Sequence, residues 1–307
     1  MRKFVIDTDT ASDDAVALVM ALQHPDIDVR AITVVAGNVP LAQAVQNALY
    51  SVELCQQNTP VYAGCAKPLL RELSTAEEVH GSDGMGDVGL PLWGRAAADG
   101  HGADMLRQVI NDHADDITLV TLGPLTNIAL ALLREPQLAR QVSRCYIMGG
   151  IGSGHGNVTP LAEFNIWVDP EAAKIVFESG MPITMVGWDI SWQYATFSPR
   201  QAEEIRSIGT RLAEYVVDIQ ATLNQYAIDQ SNLAGFDLPD PITMAIAIDP
   251  TIASYARYRV DVTTGEGLAR GLTVVDRLGV TGRPPQVDVA VSARRDLFVE
   301  MLKQSVR

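Results

Sequence analysis

The amino-acid sequence predicts an α/β protein. It reads as a single domain over residues 1–307 with a mostly parallel, Rossmann-like central sheet flanked by helices, plus a helical insertion and a small strand-rich part near the C-terminus. Three observations predict this class. Short β-branched runs alternate with longer helical segments in a βαβ rhythm. Polar groups gather directly after those runs, at the strand ends where open parallel sheets bind ligands. No linker-like stretch and no short-period repeat divides the chain.

Taken in order, "KFVID" is β-branched and aromatic enough for a buried strand. "DDAVALVMALQHP" has the apolar content of a helix that ends before Pro25, and "VRAITVVAG" is a second strand. A helix over about 40–56 and a short strand at "PVYAG" follow. Residues 71–102 are rich in Gly and Asp and lack a steady period, which predicts a long ordered loop with a short helix. Loops of that length in compact domains usually carry function or are disordered. Alternation resumes with a helix near 101–113, the strand "ITLVTL", the helix "TNIALALLREP", the strand "RCYIMGG", the helix "DPEAAKIVFES" and the strand "PITMVGW". Residues 199–228 read as mainly helical, "DPITMAIAID" as a buried helix, 256–291 as strands and "RRDLFVEMLKQ" as the terminal helix. Chemistry-bearing residues then fall on one rim: Asp7 and Asp9, Gly37 and Asn38, "GPLTN", "GGIGSGHGN", and Trp188 with Asp189.

With 47% hydrophobic residues the chain has material for a large core. Its 23 basic and 37 acidic residues give a formal charge of -14 without a Lys/Arg cluster, so no nucleic-acid partner is expected. The 3 cysteines, Cys55, Cys65 and Cys145, contain no CxxC pair and do not suggest a disulfide scaffold. Met1 runs straight into the first apolar strand, and no uninterrupted apolar 18-mer occurs. The expectation is a cytoplasmic protein with no membrane partner.

The stretch "FVIDTDTASDDAVALVM" crowds Asp7, Asp9, Asp13 and Asp14 where the first strand hands over to the first helix. Capping explains one of Asp13 and Asp14 and leaves the other carboxylates unexplained. A dinucleotide fingerprint needs glycines at this turn, and there is none between residues 1 and 36. A phosphoaspartate enzyme also places Asp-x-Asp after its first strand and is a rival on this stretch alone. A hard divalent cation fits better, because it neutralises several carboxylates at once. No Cys/His grouping points to zinc.

The motif "DTDTASDD" resembles the N-terminal Asp-x-Asp-x-x-x-Asp-Asp of the inosine-uridine preferring nucleoside hydrolases. So do "TVVAGN" ending at Asn38, "HGSDGMG" at 80–86, "TLGPLTNIA" at 121–129, "MGG" at 148–150, "GNVTPLAEFNIWVDPEAA" at 156–173 and "DP" at 240–241. The resemblance extends over most of the chain in matching order and spacing. It implies hydrolysis of the N-glycosidic bond of ribonucleosides to ribose and free base, with Ca2+ as cofactor. It also implies a calcium site of Asp9, Asp14 through both oxygens, the Leu122 carbonyl and Asp240, with Asp7 holding the group from behind. Asp13, Asn38, Asn157, Glu163 and Asn165 resemble the family's ribose-binding residues. Asp9 resembles the catalytic base that accepts the proton of a calcium-bound water. Calcium suits this set better than magnesium, because ribose hydroxyls, water and a bidentate carboxylate exceed six tight ligands.

The chain departs from the family pattern at the leaving group. Family members carry a histidine immediately before the C-terminal metal-binding Asp, and here Pro239 stands there, with no proton to give. Asp229 replaces a usual tyrosine, and Thr10-Ala11 replaces the usual Pro-Gly. Candidate leaving-group contacts are His80, Asp229, Asp237 and Trp188, with Trp192 or Phe236 as further stacking surfaces. Two alternatives follow: an N-ribohydrolase acting on an unusual aglycone, and a non-catalytic nucleoside- or sugar-binding protein. The resemblance also implies a homodimer or homotetramer. Residues 71–95 and 224–239 read as covers of the cavity.

Overall fold

The computed structural model describes residues 1–230 and 234–307. The N-terminal half contains β1 (Arg2–Thr8), α1 (Ser12–Gln23), β2 (Ile27–Val34), α2 (Leu41–Leu54), β3 (Val61–Ala63), α3 (Glu77–His80), α4 (Gly102–Asp112), β4 (Ile117–Thr121), α5 (Thr126–Arg134) and β5 (Val142–Met148). Then come α6 (Phe164–Val168), α7 (Pro170–Glu178), β6 (Ile183–Val186), α8 (Trp188–Tyr194), β7 (Thr196–Phe197), α9 (Pro199–Arg206), α10 (Arg211–Asp218) and α11 (Ala221–Asp229). The chain closes with β8 (Phe236–Asp237), α12 (Pro239–Ile248), β9 (Ala253–Val262), β10 (Thr273–Asp276), β11 (Val287–Ala293) and α13 (Arg295–Ser305).

A 9-stranded sheet runs in the order β10-β9-β11-β6-β5-β4-β1-β2-β3. Pairing is parallel from β3 through to β11 and antiparallel for β11–β9 and β9–β10. The expected α/β class, the helical insertion (α9–α11) and the C-terminal strands are all present. From β1 the chain first builds outward through β2 and β3, then crosses back to β4 and continues outward on the other side. That reversal opens a crevice beyond the carboxyl ends of β1 and β4.

Side-chain alternation assigns each strand to two cores. Phe4 and Ile6 of β1 pack with α1 and α12 on one face, while Val5 packs with α4, α5 and α7 on the other. Helix α1 is buried from Ser12 to Leu22, so its sequence shows no clean polar face. It has neighbours in α2, α10, α12 and α13. The acidic start of α1 therefore sits at the centre of the molecule, not on a solvated edge.

Two local expectations are corrected. The strand expected to run through Trp188 ends at Val186, and Trp188 opens α8, because Gly187 adopts an extended N-cap geometry. A two-stranded ribbon pairs β7 with β8, so Phe236 packs in the core on Phe197, at 5.9 Å between ring centroids, instead of facing the crevice. Part of the 224–239 segment expected to cover the crevice, residues 231–233, lies outside the described residues.

Candidate active site

The crevice contains a cavity of about 610 Å³. Its floor includes Asp13, Asn38, Leu122 and Asp240. One side carries His80 from α3, and the other carries His155, Glu163, Asn165, Trp188 and Asp237.

Asp9 is clasped from both sides. Its Oδ2 accepts the Asn38 backbone N–H at 2.6 Å, and its Oδ1, buried, has no partner. A Cβ on Gly37 would lie 2.1 Å from Asp9 Oδ2, and one on Gly123 would lie 2.5 Å from Oδ1. The loops after β2 and β4 can close on this carboxylate only because both positions are glycine.

Asp14 is held on both oxygens. Thr8 Oγ1 donates to Oδ1 at 2.5 Å, the Ala11 N–H donates to Oδ2 at 3.0 Å, and Asn38 Nδ2 lies 3.3 Å from Oδ2. Asp14 is thus the residue that caps α1. The threonine that departs from the family motif joins the same network, with Thr10 N–H donating to Thr8 Oγ1 at 3.1 Å. Asp7 lies behind the cluster, where Thr33 Oγ1 and Asn127 Nδ2 donate to its Oδ2 at 2.5 and 2.8 Å.

Carboxylate oxygens of Asp13, Asp14 and Asp240 all lie within 4.8 Å of one another. Asp13, expected as a ribose contact, therefore stands in the tightest group with Asp14 and Asp240, and Asp9 lies beside it. One oxygen each of Asp7, Asp9, Asp13 and Asp240 is buried without a hydrogen-bond donor. Burial pushes the pKa of Asp7 and Asp13 up to about 7 and that of Asp14 up to about 6. Asp9 and Asp240 are also raised, first by burial and then by the charge of Asp14. Buried like charges with orphaned oxygens are unstable unless protonated or neutralised, and an oxygen-liganded cation neutralises them together. The donor set fits calcium, and the cluster matches the Ca2+ site of the family.

Of the residues expected to bind ribose, Asn157, Glu163 and Asn165 follow β5, on the β4–β6 half of the rim. Glu163 caps α6, accepting from the N–H groups of Gly150, Asn165 and Ile166 at 2.8, 2.7 and 3.2 Å. Burial nevertheless raises its pKa to about 7. Asn165 Nδ2 donates to the Leu122 carbonyl at 2.7 Å, fixing that oxygen while leaving it a second lone pair. Asn157 is exposed and accepts the Phe164 N–H at 3.0 Å.

Of the leaving-group candidates, three line the cavity and one does not. His80 is buried, with Nδ1 3.0 Å from Ser12 Oγ and 3.7 Å from Asp13 Oδ1. Burial lowers its pKa to about 4, so it is neutral near pH 7. Asp237 is buried at the end of the β7–β8 ribbon, and its Oδ2 accepts from both Trp188 Nε1 and Ser191 Oγ at 2.9 Å. Burial raises its pKa. Asp229 is exposed, bonded to Gln225 Nε2 at 2.6 Å, and away from the cavity wall. Its apparent motif position does not survive the helical turn that points it outward. His155, Trp167 and Tyr226 also line the cavity. Sequence reasoning passed over them, although the "GGIGSGHGN" loop that carries His155 had been placed on the rim.

Fold and site together define a hydrolytic α/β enzyme built around an oxygen-liganded cation. The model of the inosine-uridine preferring nucleoside hydrolase family matches residues 4–300. The chain is 38% identical over 305 residues to the pyrimidine-specific ribonucleoside hydrolase RihA of Salmonella paratyphi C, covering 99% of this chain and 97% of that protein. Among solved structures it is similar to the plant nucleoside hydrolase PpNRh1, with 35% identity, TM-score 0.93 and 99% and 98% of the two chains covered. It is also similar to the purine-preferring ribonucleoside hydrolase from Gardnerella vaginalis, with 30% identity, TM-score 0.92 and the same coverage of 99% and 98%. The chain belongs to the inosine-uridine preferring nucleoside hydrolase family and is an N-ribohydrolase of ribonucleosides. Among the described residues, no helix is long and apolar enough to cross a membrane.

Proposed function

We propose that this chain hydrolyses ribonucleosides with Asp9 as general base, the reading carried by one observation: Asp9 is fixed through Oδ2 while its buried Oδ1 has no partner. In this reading Asp9, Asp14, Asp240 and the Leu122 carbonyl hold calcium from one side, with Asp13 close against them. When bound, calcium supplies a lowered pKa to a coordinated water and a seat for ribose hydroxyls.

The chain's own groups do the rest. Water attacks C1′ of the ribose, the bond from C1′ to the base nitrogen breaks, and its electron pair leaves with the base. Asp9 Oδ1 takes the proton from the attacking water. Asp13, Asn38, Asn157, Glu163 and Asn165 orient the sugar, and the carboxylates of Asp13 and Glu163 favour the positive charge that develops on it. Trp188, held by Asp237, and neutral His80 flank the space left for the base.

The relatives differ in base preference, pyrimidine-specific for one and purine-preferring for another. A cavity walled by Trp188, Tyr226 and Trp167 supports a purine-sized base. An unusual aglycone is the second reading, favoured by Pro239 on the cavity wall where the family carries a histidine. The unpaired cysteines support a reducing, cytoplasmic setting. Leu278, Val280 and Leu268, exposed at 88%, 81% and 74%, support a homo-oligomer.

Chromatography of a panel of purine, pyrimidine and modified ribonucleosides tests the reading, with Asp9→Asn as blank. Base release that drops about 100-fold or more in kcat in the variant is expected, in the range of a lost general base. Equal release by both proteins contradicts it.

A further inference from the structure

We propose that His155 is the residue that delivers a proton to the departing base, in place of the histidine that Pro239 displaces. This assignment rests on the ribohydrolase reading above and adds the leaving-group half of the reaction.

Three observations converge on it. The first concerns the other candidates. Pro239 has no proton, and His80 is buried and engaged through Nδ1 with Ser12 and Asp13. Asp237 spends one oxygen on the Trp188 and Ser191 donors, which makes it an anchor for the indole.

The second is position. The sheet order places the catalytic floor at β1 and β4, with the β5 and β6 loops on one side of it. His155 rises from the loop after β5 and lines the same cavity as Asp13 and Asp240. Its ring meets Trp188 edge-on at 5.4 Å between centroids and lies 4.9 Å from Trp192, and the two indoles are stacked at 6.4 Å. The base of the loop is pinned: Gly152 N–H donates to Asp189 Oδ1 at 2.7 Å, Ile151 N–H donates to Thr273 Oγ1 at 2.8 Å, and Arg277 holds the Gly152 carbonyl. The imidazole therefore rests on an aromatic shelf that is itself locked by Asp237.

The third is the tautomer. His155 Nδ1 lies 3.1 Å from the Gly156 carbonyl oxygen. A carbonyl only accepts, so Nδ1 carries a proton and Nε2 is the nitrogen that exchanges one. His155 is exposed, which lets it recover a proton from solvent after each turnover.

The step balances. As the bond from C1′ to nitrogen breaks, its electron pair goes to the base, and the proton on Nε2 of the imidazolium passes to a nitrogen or oxygen of that base. Water gives its hydroxyl to C1′ and its other proton to Asp9. Solvent then returns one proton to His155 and removes one from Asp9.

The test uses His155→Phe, which keeps an aromatic ring on Trp188 and Trp192, on nucleosides and on 4-nitrophenyl β-D-riboside, whose leaving group needs no proton. The expected result is a loss of about 100-fold or more in kcat on nucleosides, with the nitrophenyl riboside within about threefold of wild type. Unchanged nucleoside turnover overturns the assignment, and so does an equal loss on both substrates, which marks a structural role. An Asp237→Asn variant that shows the selective loss while His155→Phe does not overturns it in favour of Asp237. Absence of wild-type turnover on every riboside overturns the ribohydrolase reading itself, and this assignment with it.

Discussion

The Asn38 backbone N–H donates to Asp9 Oδ2 at 2.6 Å, which leaves Asp9 Oδ1 buried and unpartnered beside the acidic cluster. The loop after β2 thereby sets the orientation of a carboxylate at the end of β1. Gly37 and Gly123 permit that approach, and a single methyl group at either disturbs it.

Gly123→Ala therefore displaces Asp9 without removing any functional group, since the new Cβ would lie 2.5 Å from Oδ1. Misplacement on the scale of an ångström carries a rate penalty of about 100-fold. Steady-state kinetics should show that loss mainly in kcat, while the circular dichroism spectrum stays that of wild type.

Calcium-free protein should lose stability as pH rises. Burial lifts Asp7 and Asp13 to about 7 and Asp14 to about 6 from an ordinary 3.8. Between those values the folded state holds protons that the unfolded chain has released, so unfolding free energy falls as pH rises through that window. His80 acts in the opposite sense. Held down to about 4 from 6.5, it removes stability as pH falls through that window. It is one group against several carboxylates. Thermal melts in chelator should give a lower midpoint at about pH 8 than at about pH 5, and saturating calcium should reverse most of the difference.

Glu163 has two separable jobs. As N-cap of α6 it satisfies the N–H groups of Asn165 and Ile166, with Gly150 N–H as a third donor, and it lines the cavity proposed to take the sugar. Glu163→Ala should cost about 2 kcal/mol of stability through the lost cap and its orphaned donors. Glu163→Gln should recover most of that in a denaturant titration while KM for nucleosides stays raised.

Trp188→Phe preserves a ring beside His155 but removes the Nε1 donor to Asp237. With only Ser191 left on that oxygen, the aromatic shelf loosens. KM should rise about tenfold, equivalent to about 1.4 kcal/mol, with a smaller effect on kcat.

The acidic turn was legible because a carboxylate cluster between a strand and a buried helix has few physical explanations. Asn38, Glu163 and Asn165 line the cavity, where their place in a familiar frame put them. What the sequence hid was set by tertiary pairing. The two-residue strands Thr196–Phe197 and Phe236–Asp237 are too short for a period, yet they turn Phe236 into the core and place Asp237 under Trp188. Asp229 faces outward on α11, where motif spacing alone could not show its direction. His155 lay in a glycine-rich loop already placed on the rim, but its contact with Trp188 depends on α8 starting where a strand was expected to end.

The most direct measurement of the central claim is base release from the preferred nucleoside as calcium is removed by chelation and then restored, run in parallel on wild type, Asp9→Asn and Asp240→Asn. The account predicts that wild-type release disappears on chelation and returns with calcium. Asp240→Asn should need much more calcium for the same rate, and Asp9→Asn should stay about 100-fold slow at any calcium concentration. Base release that persists at full rate in metal-free wild type, or that Asp9→Asn sustains undiminished, would contradict it.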